Sequence, residues 1–308
     1  MDGGLLFVLA ILTVTSVVAA ALDVTTLFGK ANLVRSGDGR SLKLLLDRSS
    51  GSGFISTATY HHGLFSASIK LPQGYTAGVV VAFYTSNGDV FEKTHDELDF
   101  EFLGNVHGEK WRVQTNVYGK GSTGREERYL LPFDPAKEFH RYSILWTAHS
   151  IIFSIDGTPI REVGRCDAMS GDYPSKPMSI YATIWYASDW ATSGGGYKVD
   201  YDRAPFVPEF SDLALLRCRL DPIQQVPGAA ANCTAMAAVM TPKKQREMRA
   251  FRQRYMSYSF CYDKLRYPVT VPDCNVVESE RRRFGETGHR RRVRHRRQAD
   301  YVRMLSME

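Results

Sequence analysis

The chain has 308 residues, with 39 Lys plus Arg against 33 Asp plus Glu and a formal charge of +6. That excess lies in residues 280–308, which hold ten Arg and four acids and leave 29 basic against 29 acidic side chains elsewhere. At 44% hydrophobic and 12% aromatic, the neutral body is too apolar for global disorder, large enough for one big β domain or two smaller ones, and unsuited to general nucleic-acid binding.

Residues 5–22 form an apolar run that includes Ala19, Ala20 and Ala21, small residues that a signal peptidase accepts. Residues 1–21 therefore read as a secretory signal, with no stable membrane association after cleavage and a retained anchor as the alternative. Short aromatic and β-branched stretches follow at 78–84, 98–103, 111–118, 142–146, 151–155 and 179–185, separated by Gly, Pro, Asp and Asn turns. This spacing predicts an all-β sandwich or barrel over residues 22–210. Asp156 and Gly157 suit a tight hairpin between two of its strands.

Pro222, Pro227 and an Ala-rich stretch mark a change of composition, and residues 211–279 read as a subdomain packed on the sandwich. Thr241 and Pro242 can start a helix there, and Met248, Phe251, Tyr255 and Tyr258 recur on one stripe, so the helix is expected over 241–258. Residues 280–308 are mostly Arg, His and Gly and read as a disordered tail. Five cysteines fit an oxidising compartment: Cys218, Cys233, Cys261 and Cys274 suggest two local bridges, with other pairings open, and Cys166 is left as the free thiol. Asn232, Cys233 and Thr234 form a glycosylation sequon.

The sharpest feature is the run from His95 to Gly104, HDELDFEFLG. In a strand, alternate side chains share a face, so His95, Glu97, Asp99 and Glu101 point one way while Leu98, Phe100 and Phe102 enter the core. Adjacent carboxylates repel and raise proton affinity, an arrangement from which a purely structural strand gains little. Glycoside hydrolysis needs one carboxylic acid and one carboxylate, and two Glu leaning over Asp99 suit the closely spaced retaining pair. Glu97 is assigned as nucleophile, Asp99 as its hydrogen-bonding helper whose charge also keeps the acid protonated, and Glu101 as acid/base; spacing alone does not order the two Glu. A straight strand sets these ligands in a line that suits a metal poorly, and no serine or cysteine nucleophile is supported, so neither metal nor cofactor is expected. A non-catalytic glycan-binding module is the rival class, although it has no need of three aligned acids.

At this run the sequence resembles the plant xyloglucan endotransglucosylase/hydrolases of glycoside hydrolase family 16, whose motif has the form HDE(I/L)DFEFLG. The resemblance spans about residues 27–274 and includes Gly51 to Phe54, Gly63 to Ser66, Ile69 to Pro72, Gln114 to Val117, and Trp190 to Thr192 with Gly194 and Gly195. Arg254 to Met256, with Cys261 and Cys274, resembles the family's C-terminal extension. The resemblance implies a jelly-roll β-sandwich with an open cleft, a catalytic domain over residues 22–210, and cutting and rejoining of xyloglucan. Carried onto this chain, it places Gln114 and Asn116 beside the nucleophile at the donor sugar, makes Trp185 and Trp190 stacking platforms and sets Arg125 and Arg266 on the acceptor side; His95, at the head of the acid run, is a further substrate-binding candidate, with orienting the strand as the alternative. Family members usually have Trp-Asp-Gly-Ser where this chain has Trp185, Tyr186, Ala187 and Ser188, a change able to move the loop that positions both indoles. Xyloglucan donor and acceptor chains are the expected partners, with acidic wall polysaccharide for the Arg-rich tail, in the cell wall and apoplast.

Overall fold

The computed structural model describes residues 20–21, 23–122, 124–192, 195–217 and 240–291. In chain order the strands are β1 (Ala20–Ala21), β2 (Val24–Phe28), β3 (Leu33–Arg35), β4 (Ser41–Leu44), β5 (Ser52–Ser56), β6 (Gly63–Lys70), β7 (Val79–Ser86), β8 (Glu97–Leu103) and β9 (Arg112–Tyr118). They continue with β10 (Glu127–Leu130), β11 (His140–Trp146), β12 (Ser150–Ile155), β13 (Thr158–Gly164), β14 (Ser179–Tyr186), β15 (Glu209–Arg217), β16 (Met256–Asp263) and β17 (Thr287–His289). The α-helices are α1 (Ser188–Ala191), α2 (Pro242–Tyr255) and α3 (Glu278–Arg281).

Two antiparallel sheets form a jelly-roll sandwich. The eight-stranded sheet runs β13-β12-β11-β6-β15-β4-β3, with β1 beside β15, and the nine-stranded sheet runs β17-β16-β10-β9-β8-β7-β14-β5-β2. The carboxylate strand, β8, therefore lies at the middle of the larger sheet. Its inward residues hold the two layers together: Phe100 meets Phe153 and Tyr142 edge to face at 5.3 and 5.6 Å, and Phe102 meets Tyr142 at 4.7 Å. Each such aromatic pair adds about 0.5–1.5 kcal/mol beyond the area it removes from water. The expected hairpin joins β12 to β13, with Asp156 and Gly157 both at positive φ, the backbone twist a two-residue hairpin loop requires.

Helix α2 starts where expected, with the Thr241 side chain accepting from Lys244 N at 3.2 Å and Pro242 in the first turn. It ends at Tyr255, before the stripe position at Tyr258. From Met256 the side chains alternate with period two, and pairing with β10 supplies ladder bonds that continued helix could not. Phe251 turns toward the sandwich, its ring 5.9 Å from Tyr129. Cys261 and Cys274 form a disulfide and Cys166 is an exposed free thiol, whereas Cys218, Cys233 and Asn232 lie outside the described residues.

The boundary expected at residue 280 is corrected: the chain stays folded through Arg291. Glu280 is buried and accepts from Arg252 Nε and Nη2 at 2.9 and 3.0 Å and from the Tyr262 hydroxyl at 2.9 Å. Arg252 also donates to both oxygens of buried Glu127, at 2.6 and 2.9 Å. Burial would raise the Glu127 pKa, but Arg252 and Arg161 hold it down at about 2. Phe284 is buried and stacks on Tyr262 at 5.1 Å, and β17 then pairs with β16. The rest of the expected tail, residues 292–308, lies outside the described residues.

Glu280→Ala is expected to lower the unfolding free energy, read by denaturant titration, by about 3–5 kcal/mol, because it strips a partner from a buried cation. No loss of stability would mean that the segment is only loosely attached.

Candidate active site

Period-two alternation sets Glu97, Asp99 and Glu101 on the outer face of β8, with Leu98, Phe100 and Phe102 fully buried behind them. Asp99 is also buried, whereas Glu97 and Glu101 keep a partly exposed edge that a substrate can reach. Taking these acids out of water raises all three pKa values. Glu101 rises from 4.5 to about 7, chiefly through burial and partly through the neighbouring charges of Glu97 and Glu126. Asp99 rises well above its ordinary value through burial and the flanking Glu97 and Glu101, and Glu97 rises through burial.

Glu97 and Asp99 share a hydrogen bond that lowers the pKa of Glu97 and raises that of Asp99. Asp99 is thus the proton donor of the pair, and it favours an ionised Glu97. The Ser86 side chain, directly across the ladder, also hydrogen-bonds Glu97 and favours its charged form.

The β8–β9 register pairs Glu101 with Gln114, Asp99 with Asn116 and Glu97 with Tyr118. Gln114 Nε2 donates to Glu101 Oε2 at 2.5 Å, and Arg128 Nε donates to Gln114 Oε1 at 2.6 Å. The structure therefore sets Gln114 against Glu101, not Glu97. Asn116 is buried, its side-chain oxygen accepting from Val117 N at 2.9 Å. His95 precedes the strand, with its Nδ1 3.2 Å from Glu92 O and its ring 5.1 Å from Tyr118, and its charge favours an ionised Glu97.

Trp185 at the end of β14 and Trp190 in α1 are exposed and stack 6.1 Å apart at 21°. The replaced loop holds them firmly. Ala187 is buried with Val80, Leu103 and Ala191, its nitrogen donates to Gly78 O at 2.8 Å, and its oxygen accepts from Trp190 and Ala191 N. Tyr186 faces Tyr201 at 6.4 Å. Arg266 pairs with Glu126 at 2.8 Å and stays partly exposed.

Arg125 departs from expectation. It is buried, donating from Nε to Val117 O at 2.9 Å and from Nη2 to Ser122 Oγ and Asp172 O at 3.1 and 2.8 Å, and it pairs with Asp273 at 3.5 Å. A buried guanidinium needs such internal partners, so Arg125 braces loops around the site and has no face for a sugar.

Three participants escaped the sequence reading. Arg128 and Ser86 join the site only through strand register. Asp96 is buried behind it and accepts from Lys120, Ser175 and Lys176 N at 2.8 Å and from Lys176 Nζ at 2.7 Å, fixing two loops to the start of β8. Its place in the HDE run was the available signal.

The family model described as Glycosyl hydrolases family 16 matches residues 22–203, and that described as Xyloglucan endo-transglycosylase (XET) C-terminus matches residues 229–274. The chain belongs to the xyloglucan endotransglucosylase/hydrolases of family 16. It is 62% identical over 273 residues to probable xyloglucan endotransglucosylase/hydrolase protein 30 of Arabidopsis thaliana, covering 86% of this chain and 80% of that protein. Protein 28 of that series, also from Arabidopsis thaliana, is 50% identical over 297 residues, covering 92% and 90%. Among solved structures, the Bacillus licheniformis beta-glucanase shares the fold, with a TM-score of 0.51 at 23% identity over 61% of this chain and 89% of that one. The apo Crh5 transglycosylase gives 0.50 at 27% identity, covering 63% and 78%. The protein is thus an enzyme that transfers or hydrolyses glycosyl groups.

The acids of this family 16 site carry opposite pH demands. If Glu101 works as the acid, kcat/KM falls as pH rises through about 7. The Gln114 bond favours the ionised form, so Gln114→Leu is expected to move this alkaline limb to higher pH in a pH–rate profile; an unmoved limb would contradict it. Because folding raises the Glu101 pKa, its contribution to stability is full below 4.5 and is lost as pH rises towards about 7.

Proposed function

We propose that the protein is a xyloglucan endotransglucosylase that cuts the β-1,4-glucan backbone with retention and rejoins it to a second xyloglucan chain. Glu101 protonates the glycosidic oxygen while Glu97 attacks the anomeric carbon; the glycosidic bond breaks, the fragment bearing the new hydroxyl leaves, and a glycosyl ester forms on Glu97. Glu101, now ionised, takes the proton from the 4-hydroxyl of an incoming chain, whose oxygen displaces Glu97 and restores the β linkage. Water in the acceptor position gives hydrolysis instead.

The observation that carries this reading is the division of labour along β8: Glu101 is raised to about 7, ready to give a proton, while Glu97 receives a hydrogen bond from Asp99 that favours its ionised form. Burial raises both groups, but hydrogen bonds from Ser86 and Asp99 oppose the rise at Glu97, and acid and nucleophile require their protonation to be set apart in this direction. Trp185 and Trp190 present flat faces suited to the apolar faces of pyranose rings. In this reading the enzyme works in the cell wall and apoplast after secretion, as the apolar run at residues 5–22 suggests.

Incubation with xyloglucan and labelled xyloglucan oligosaccharides tests the transfer. Label is expected to enter the polymer with the native protein and not with Glu97→Ala. Shortening of the polymer at the same rate with and without oligosaccharide, with no label incorporated, would sink the transferase assignment.

A further inference from the structure

The half of the nine-stranded sheet beyond β8 ends on β17, which lies past residue 274, where the C-terminal family match stops. The registers set one cross-strand row: Glu101 opposite Gln114, Gln114 opposite Arg128, Arg128 opposite Tyr258, and Tyr258 opposite His289. Directly opposed residues in antiparallel strands share a face, so the row lies on the side that carries the acids. Each link is also a contact. Glu101 accepts from Gln114 at 2.5 Å, Gln114 accepts from Arg128 at 2.6 Å, the Arg128 guanidinium lies 5.1 Å over the Tyr258 ring, and His289 sits 4.8 Å from that ring at 46°.

His289 is exposed and Arg128 partly so, whereas Tyr258 is buried and serves as the support on which both rest. The edge is well fixed. Arg290 N donates to Ser257 O at 2.9 Å, Gly285 N donates to His289 O at 2.9 Å, and the Arg290 side chain turns the other way to Arg254 O at 2.7 Å. Four strand spacings separate His289 from Glu101, about 19 Å, on the same side as Arg266 and the extension. A glucan lying across the strands would advance by roughly one sugar per strand.

We propose that His289, resting on the Tyr258 ring beyond Arg128, forms a distal subsite for a sugar residue of the acceptor chain at the outer edge of the sheet. The chemistry fits a neutral sugar: an imidazole both donates to and accepts from hydroxyls, and it need not move. This inference rests on the transfer reading proposed above and on Arg266, expected on the acceptor side, which pairs with Glu126 just before β10 in this half of the sheet, and a binding measurement separates it from transfer itself.

In a Glu97→Gln background, which does not turn over, calorimetry would compare xyloglucan oligosaccharides of two lengths, one reaching Arg128 and one reaching His289. Adding His289→Ala is expected to raise Kd for the long ligand about fivefold, the loss of one hydrogen bond, and to leave the short one unchanged. His289→Gln, which keeps a hydrogen-bonding group, is expected to recover part of the loss. An unchanged long-ligand Kd, or equal weakening at both lengths, would overturn the subsite. Length-dependent binding that needs His289, in a native protein that incorporates no label, would keep the subsite and refute the transferase reading.

Discussion

The structure turns on the removal of three carboxyl groups from water at the centre of a sheet. Strand β8 has no freedom here: its period of two sends Phe100 and Phe102 between the layers, so Glu97, Asp99 and Glu101 must crowd together on the other side. Three charges so placed are not all tolerated, and the strain is relieved by protons. Burial and like charge push Asp99 towards its protonated form, in which it donates to Glu97, Glu101 holds its proton up to about pH 7, and Gln114 restrains Glu101 from rising further. The same packing that stabilises the sandwich therefore sets the protonation states on which the chemistry depends.

A second buried charge cluster works in the opposite direction. Glu127, Arg252 and Glu280 join β10, α2 and α3, and here cations hold a carboxylate down at about 2. Mutual neutralisation allows full burial without protons, which is why this cluster can tie the C-terminal segment down and carry the sheet out to β16 and β17. One cluster is reactive because its charges are alike; the other is structural because they are paired.

What the sequence disclosed was local in origin. The alternation of the HDELDFEFLG run, the Asp156-Gly157 hairpin and the Thr241-Pro242 helix start each depend on neighbours a few residues away, and the structure has them as read. The misreadings involve distant partners. Gln114 belongs with Glu101 because of register, Arg125 is consumed by Asp273 and Asp172, and α2 stops at Tyr255 because β10 offers a ladder to the next residues. Residues 280–291 looked like solvated tail because Arg dominates their composition, yet two side chains, Glu280 and Phe284, find Arg252 and Tyr262 and fold the rest. Composition averages over such anchors.

The central claim is that Glu97 bonds to the sugar while Glu101 moves the proton, and azide rescue separates those roles in one measurement. Glu97→Gly and Glu101→Gly proteins would each be given an aryl β-glycoside of a xyloglucan oligosaccharide with azide, and the anomeric configuration of the glycosyl azide read by proton NMR. Azide filling the space left by Glu97 attacks from the opposite face and yields the α-azide, whereas azide acting beside an intact Glu97 displaces the glycosyl ester and yields the β-azide. The account predicts α from Glu97→Gly and β from Glu101→Gly; the reverse pairing would contradict it.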